Sequence, residues 1–129
     1  MMEQNTHLLV DSVLVGKTVS LDTEQATAEL IATSDMAADA RGLVHGGFTF
    51  GLADFAAMLA VNDPNVVLGG AETRFLAPVQ VGQRMVATAK ITSDAGKKRT
   101  VQVEVKVANT TVMTGIFTCF VLPRHVLDA

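Results

Sequence analysis

The sequence predicts an α+β fold in which an antiparallel β-sheet wraps around one long central helix. Most of the chain reads as short stretches of alternating apolar and polar residues separated by turn residues, which is typical of strands. Only residues 46–62 form a long, almost uncharged run that favours a helix. An antiparallel sheet must cover its apolar face with another element, and this helix is the available candidate.

The first half of the chain predicts a short helix over residues 3–10, followed by a β-hairpin. Lys17–Asp22 and residues 25–33 both alternate apolar and polar side chains, and Asp22-Thr23-Glu24 suits the turn between them. A loop rich in Ala, Asp and Gly then leads to the long helix.

The second half predicts a helix end followed by a meander of strands. Asn62-Asp63-Pro64 ends the helix because the residue before a proline disfavours helical geometry. The Gly69-Gly70 pair suggests a bulge in the first strand of this half. The predicted strands cover residues 66–75, 83–93, 99–108 and 111–122.

Composition indicates one intracellular domain over residues 1–129 that associates with copies of itself. Hydrophobic residues make up 49% and charged residues 18%, a low charged share that favours apolar surface covered by a second chain. A net charge of −3 and the lack of Trp and Tyr argue against nucleic-acid binding. No apolar run suits a membrane span or signal peptide. The single Cys119, interpreted as a small buried hydrophobe, excludes an internal disulfide, so we expect a cytoplasmic protein.

Asp54 is the anomaly of the helix. Between Gly42 and Asn62 it is the one charged side chain besides His45, and a lone carboxylate is costly to bury without a partner. Asp54 either lies on an exposed helix edge, satisfies a buried backbone group, or is functional.

A stripe without side chains runs beside this carboxylate. At about 100° per residue, Gly47, Gly51, Asp54 and Met58 fall on one line along the helix. Glycine inside a helix costs about 1 kcal/mol relative to alanine, so the pair of glycines suggests close approach by a partner helix or a ligand.

The helix start predicts a site shared by two chains. Unpaired amides at a helix N-terminus can bind an anion or polarise a carbonyl oxygen, and a P-loop is excluded because no Gly-Lys-Ser/Thr follows. Gly47 and Asp54 are seven residues apart, about 10 Å along the axis, which is too far for one substrate group. Two helices crossing antiparallel at a twofold axis would place Asp54 of one chain near Gly47 of the other.

The residues around the helix start resemble a known family. Arg41-Gly42-Leu43-Val44-His45-Gly46-Gly47 followed by Asp54 is similar to the signature of PaaI-like (phenylacetate-degradation type) hotdog-fold thioesterases, N-x2-G-x2-H-G-G with an acid nine positions after the His. The stretch from Glu72 to Gly82 resembles the strand–Pro–Gly turn of that family. The resemblance implies a hotdog fold, homodimers assembled into tetramers, and hydrolysis of acyl-CoA thioesters.

The resemblance also assigns roles to individual residues. Asp54 matches the catalytic acid, as general base or nucleophile, and Gly47 matches the residue whose amide polarises the thioester carbonyl. His45 matches the histidine near the thioester and is expected to orient it, next to Gly46. Asp39 stands where the family has Asn, and it either alters specificity, weakens activity or is part of a solvated loop.

Further residues are candidates for substrate contact. Lys97-Lys98-Arg99 can meet the phosphates of coenzyme A or simply form a solvated hairpin tip. Phe48, Met58 and Phe75 can line the acyl pocket or belong to the core. No cofactor or metal is expected, because the three histidines show no ligand spacing; His7 and His125 are expected at the surface.

Two other functions remain open at this point. Arg41-Gly42 before a Phe-rich helix also resembles the acyl-CoA-sensing effector domain of bacterial fatty-acid-synthesis regulators, although we expect this chain to lack their DNA-binding domain. Hotdog dehydratases acting on hydroxyacyl thioesters use a His and an acid, which His45 and Asp54 would supply.

Overall fold

Six antiparallel strands form one sheet around a single long helix in the computed structural model, which describes residues 1–128. The elements in chain order are β1 (Lys17–Asp22), β2 (Gln25–Ile31), α1 (Gly46–Val61), β3 (Val66–Phe75), β4 (Arg84–Ala95), β5 (Lys98–Val107) and β6 (Thr110–Val121). Short 3-10 turns lie at Ser34–Met36 and Val126–Asp128. The predicted α+β architecture is confirmed.

The sheet runs in the order β1-β2-β4-β5-β6-β3, so β1 and β3 are its edges. Strand β3 follows the helix in the chain yet pairs with β6, with Val66 opposite Val121 and Phe75 opposite Met113. The predicted bulge is confirmed, because the β3–β6 register shifts between Leu68 and Gly70. All six strands contact α1, so the sheet wraps around the helix.

Small side chains allow this wrapping. Ala26 and Ala28 on β2 and Ala87 and Ala89 on β4 are fully buried on the inner face of the sheet. Small residues at such positions let helix and sheet backbones approach closely and pack without voids. The helix contributes its own buried alanines and larger side chains to the same core: Leu52, Ala53, Phe55, Ala56, Ala57, Met58, Leu59 and Ala60.

The helix ends one residue earlier than predicted, at a polar cap. Asn62 has a left-handed backbone (φ 53°), and its N–H donates to the Met58 carbonyl at 2.8 Å. The Asn62 side chain accepts from the Asn5 N–H at 2.8 Å and donates to the Glu3 carbonyl at 2.9 Å.

The prediction of a helix over residues 3–10 is wrong. The segment is irregular, because its polar backbone groups pair with distant partners: the Met2 N–H donates to the Leu21 carbonyl at 2.8 Å, and Glu3 and Asn5 pair with the helix cap. His7, which was predicted to lie at the surface, is instead half-buried. Its ring lies 6.4 Å from that of Phe55, and burial lowers the pKa of His7, whereas His125 is exposed.

Within the described residues, no helix combines the length and apolar character needed to cross a membrane.

Candidate active site

Asp54 is a partly buried carboxylate that lacks a hydrogen-bond partner. Its Oδ1 atom is inaccessible and accepts no hydrogen bond from any described residue. Burial raises the pKa of Asp54 from 3.8 to about 6, because an ionised carboxylate loses hydration there without gaining donors. The carboxyl group is therefore poised to take up and release a proton near neutral pH, as a general base requires.

The helix face beside Asp54 is open at its N-terminal half. A β-carbon added at Gly51 would meet nothing within 4 Å in the described chain, and Gly47 is exposed. Met58, on the same stripe, is 1% exposed and belongs to the core. The uncovered part of the stripe therefore runs from the helix start to Asp54.

Cys119 lies behind Asp54 on β6. The thiol is fully buried, as predicted, and desolvation together with the negative charge of Asp54 raises the pKa of Cys119 to about 12. A thiol with this pKa stays protonated at neutral pH and is a poor nucleophile. Cys119 therefore forms part of the apolar wall that desolvates the carboxylate.

The helix start presents free amides next to a histidine. His45 is the N-cap residue; its N–H donates to the Met36 carbonyl at 2.9 Å, and its carbonyl accepts from the Phe48 N–H at 3.1 Å. The His45 side chain makes no cap hydrogen bond. The first N–H groups of a helix have no intrahelical acceptor, so those of Gly46 and Gly47 remain available to a ligand.

A cavity of about 400 Å³ lies beside this helix start. Gly46 and Thr49 form one wall, and the chain from Phe75 to Val79 forms the other. The Phe75 ring lies 3.3 Å from a β-carbon built at Gly46, and Phe75 and Leu76 are 55% and 56% exposed. Of the residues predicted to line an acyl pocket, Phe75 lies at this cavity, while Met58 is in the core and Phe48 packs edge-on against His45 at 6.3 Å.

Asp39 stabilises the loop before the helix. Its Oδ1 accepts the N–H groups of Arg41 at 2.9 Å and Leu43 at 3.2 Å, an Asx-type turn. The Oδ1 of an asparagine would accept the same two bonds, so the turn accounts for an Asp or Asn at position 39 and not for the carboxylate itself. A second cavity, of about 490 Å³, is lined by Asp39, Arg41, Leu43, Pro78, Gln80 and Gln83.

The basic cluster at residues 97–99 lies at the end of the sheet opposite the helix start. Thr49, near the helix start, contacts Met85 at the beginning of β4, and the hairpin tip follows Ala95 at the end of the same strand. Ten residues of strand span about 33 Å. Arg99 is paired with Asp94 at 3.0 Å, whereas Lys97 and Lys98 are exposed.

One chain therefore carries both groups of candidate site residues, at a distance from each other. His45, Gly46, Gly47 and Phe75 lie together at the helix start, and Asp54 lies two turns further along the same helix face. Seven helical residues separate Gly47 and Asp54 by about 10 Å along the axis. Among the described residues there is no group of three or more His, Cys, Asp or Glu side chains that could hold a metal ion.

A sequence profile of the Thioesterase superfamily matches residues 41–114, more than half of the chain and the whole stretch from the helix start to Thr114. The chain belongs to the Thioesterase superfamily. Its fold is the hotdog fold, as the sequence resemblance implied.

Similar proteins agree with this membership. An uncharacterized protein from Pyrococcus horikoshii is 54% identical and superposes with a TM-score of 0.98 over 98% of each chain. A mutant of the phenylacetic acid degradation protein PaaI from Thermus thermophilus is 30% identical, with a TM-score of 0.78 over 84% of this chain and 95% of that one.

A curated relative differs in length. The methylthioribose-1-phosphate isomerase of Aquifex aeolicus is 45% identical over 122 residues, which is 94% of this chain and 27% of that protein. The chain spans between 27% and 60% of the length of the curated relatives it matches.

Sequence reasoning missed part of this thioesterase-superfamily site. Leu76 and Thr49 line the cavity beside the helix start, and Arg41 lines its neighbour. Thr49 had a detectable signal, since it is the one hydroxyl in an apolar helix. Leu76 and Arg41 lie within the two stretches that resemble the family, but their positions at the cavities depend on how the connection from β3 to β4 pairs with the loop before the helix.

Proposed function

We propose that this chain hydrolyses acyl-CoA thioesters at two equivalent sites, each shared between two copies of the chain. The observation that carries the proposal is the partnerless, half-buried Asp54 on an open helix face beside two glycines, with a pKa raised to about 6. Desolvation favours the protonated form, so the carboxylate is a stronger proton acceptor than an exposed aspartate.

A free sheet edge supports a dimer. Strand β3 has no neighbour on one side, and its central residues Gly69, Gly70 and Ala71 are exposed. An unpaired edge strand is a ready template for another chain. Antiparallel pairing of two β3 edges about a twofold axis would bring the two helices side by side in opposite directions.

In this arrangement each site combines groups from both chains. The Gly47 N–H of one chain donates to the thioester carbonyl oxygen and stabilises the negative charge that develops there. Asp54 of the other chain takes a proton from water, the water oxygen bonds to the carbonyl carbon, and the C–S bond then breaks. The proton returns to the thiolate, giving free acid and CoA.

A direct nucleophilic role of Asp54 is the other route to the same products. The carboxylate would form an anhydride with the acyl group, which water then opens. A single turnover in ¹⁸O-labelled water distinguishes general-base hydrolysis from an anhydride that water opens at the Asp54 carbon. General-base hydrolysis labels the released acid in the first turnover, whereas an anhydride opened at the Asp54 carbon leaves the acid unlabelled and places the label on the enzyme.

Antiparallel pairing of two β3 edges also affects the position of the predicted basic contacts at residues 97–99. Val66 at the start of β3 lies opposite Val121, whose N–H donates to the Lys97 carbonyl at 2.7 Å. Antiparallel pairing of β3 edges would thus carry the hairpin of one chain toward the Phe75 end of the other. Lys97 and Lys98 could then contact the substrate from across the interface, whereas Arg99 is held by Asp94.

The test of a shared site is complementation between two inactive variants. Asp54→Asn removes the base, and Gly47→Pro removes the N–H at a first-turn position whose backbone tolerates proline, with a small shift of the His45 ring to admit the new ring. Each variant alone should release almost no thiol from acyl-CoA. Random mixing of the two chains should restore about a quarter of the wild-type activity, because half of the dimers are mixed and each has one intact site of two.

Several outcomes would contradict the proposal. No recovery in the mixture would exclude a shared site, provided that mass spectrometry shows mixed dimers. Tight acyl-CoA binding by the wild type without thiol release would indicate a sensor. Loss of water from 3-hydroxyacyl-CoA without thiol release would indicate a dehydratase.

A further inference from the structure

The second cavity lies next to the first, because neighbouring residues of the same two chain segments line both. Its walls are formed by Asp39, Arg41, Leu43, Pro78, Gln80 and Gln83. Pro78 lines both cavities, and the two walls are held together by backbone pairing. The Val44 N–H donates to the Val79 carbonyl at 2.8 Å, and the Val81 N–H donates to the Gly42 carbonyl at 2.9 Å. An extended molecule can therefore run from the helix start past Pro78 into a fixed, polar groove.

The two cavities differ in chemistry along this path. The first is bounded by Phe75, Leu76 and Val79 and suits an apolar or neutral segment. The second presents two glutamine amides and a guanidinium, which are hydrogen-bond donors. An apolar cavity followed by a cavity with hydrogen-bond donors suits a thioester whose neutral arm ends in an anionic group.

Arg41 is a cation at this end of the sheet that has no acidic partner, and unlike Arg74 it lines the second cavity. Arg84 is paired with Glu29, and Lys106 with Glu104 at 3.2 Å. Among residues 1–128, the ion pairs and side-chain hydrogen bonds leave the exposed Arg41 guanidinium unengaged. An unengaged guanidinium offers a planar fork that matches phosphate oxygens.

Asp39 does not neutralise this guanidinium. Its Oδ1 accepts the backbone N–H groups of Arg41 and Leu43, which fixes the turn that carries Arg41. A carboxylate already accepting two hydrogen bonds is a weaker partner for a nearby cation. The loop thus positions Arg41 at the groove and leaves its charge available.

We propose that this groove binds the phosphate-bearing end of the CoA moiety, with Arg41 as its cationic contact. The assignment rests on the proposed thioesterase function for the identity of the substrate, and it adds a residue that determines recognition of the leaving group.

The experiment separates phosphate recognition from chemistry. Wild type, Arg41→Ala and Arg41→Lys are assayed with an acyl-CoA and with the same acyl group on pantetheine, which lacks the phosphates. Arg41→Ala should raise KM for acyl-CoA about tenfold, since a charge-assisted contact is lost, and leave KM for acyl-pantetheine unchanged. Arg41→Lys should recover part of the loss. Lys90→Ala, which removes an exposed cation in the middle of β4, is the control and should behave as wild type.

Binding of free CoA and of pantetheine, measured by calorimetry, provides a readout that does not depend on turnover. A tenfold loss of CoA affinity in Arg41→Ala supports the groove even if no thioester is hydrolysed, a result that would overturn the proposed function alone. Equal CoA affinity in wild type and Arg41→Ala, or equal losses toward CoA and pantetheine, would overturn the assignment of Arg41.

Discussion

The imidazole ring of His45 occupies the space next to Gly47 that a side chain would need: a β-carbon built at position 47 would be 3.0 Å from His45 Cδ2 and 3.1 Å from Nε2. This distance is tighter than most contacts of a real β-carbon, so a side chain at position 47 requires the His45 ring to shift by a few tenths of an ångström. A substitution at Gly47 therefore also changes the position of the histidine at the helix start.

Gly47→Ala should therefore reduce activity without unfolding the chain. Alanine is about 1 kcal/mol more favourable than glycine in a helix, which offsets the strain of displacing His45. We expect kcat/KM for acyl-CoA to fall about tenfold, because the carbonyl-polarising donor is misaligned. Steady-state kinetics and urea denaturation measure the two effects separately.

His45→Ala provides the control for this contact. In the His45→Ala background the added Gly47→Ala change should have little further effect on kcat/KM, since the clash is gone. An undiminished effect in the double variant would show that the His45 contact is not what restricts position 47.

Asp54 should control the pH dependence of both activity and stability. The active form is the carboxylate, so kcat/KM should rise with pH and level off above about 6. Between 3.8 and about 6 the folded state holds a proton that the unfolded chain releases. The free energy of unfolding should therefore fall as pH rises through this window and stay level above it.

Asp54→Asn should remove the contribution of this group to the pH dependence of the free energy of unfolding. The variant should be at least as stable as wild type at pH 7. Its turnover should fall by about 10²-fold or more. Denaturation at a series of pH values checks the slope. Asp22→Asn, a change at an exposed carboxylate on β1, is the matched control and should keep the wild-type slope and activity. Wild-type turnover in Asp54→Asn would remove this residue from the mechanism.

Gly51→Leu should separate the stability of one chain from the assembly of two. A β-carbon at position 51 meets nothing within 4 Å in the described chain, so we expect a single subunit to accommodate leucine there. If a second helix packs there, leucine prevents its approach, and the dimer dissociates with loss of activity. Sedimentation or light scattering measures the mass. Gly51→Ala should have a smaller effect, and an unchanged mass in Gly51→Leu would contradict a helix–helix contact at this stripe.

Asn62 should stabilise the fold through two separable contributions, its left-handed backbone and its side-chain hydrogen bonds. Asn62→Gly keeps the backbone geometry and loses the bonds to Glu3 and Asn5, whereas Asn62→Ala loses both. We expect a loss of about 1 kcal/mol for glycine and about 2 kcal/mol for alanine. Thermal denaturation gives the order, and equal losses would show that the backbone geometry costs nothing here.

The strands followed from local patterns because each buries one face, and the helix followed from its long apolar run, which is buried on all sides over residues 55–60. Residues such as Ala26, Ala28 and Leu30 alternate with polar neighbours, and the sheet buries that whole set. The helix was readable because Pro64 and Asn62 mark its end and Asp54 is its lone charge.

The features that escaped prediction all depend on contacts distant in sequence. Residues 3–10 form no helix because Glu3 and Asn5 bond to the helix cap at Asn62, which local propensity does not encode. The cavity walls likewise require Val79 and Val81 to pair with the loop before the helix. The roles of His45, Gly47 and Asp54 stay predictions until the variants above are measured.

Strand β3 lies at the sheet edge and is hydrogen-bonded only to β6. The sheet therefore cannot be completed until β6 has been synthesised. During synthesis β3 emerges well before its partner, since residues 66–75 must wait for residues 110–121. Pairing over this sequence distance raises the contact order, which slows folding. A nascent chain therefore exposes an unpaired strand and an uncovered helix flank for a time, a period when chaperone binding would protect it from aggregation.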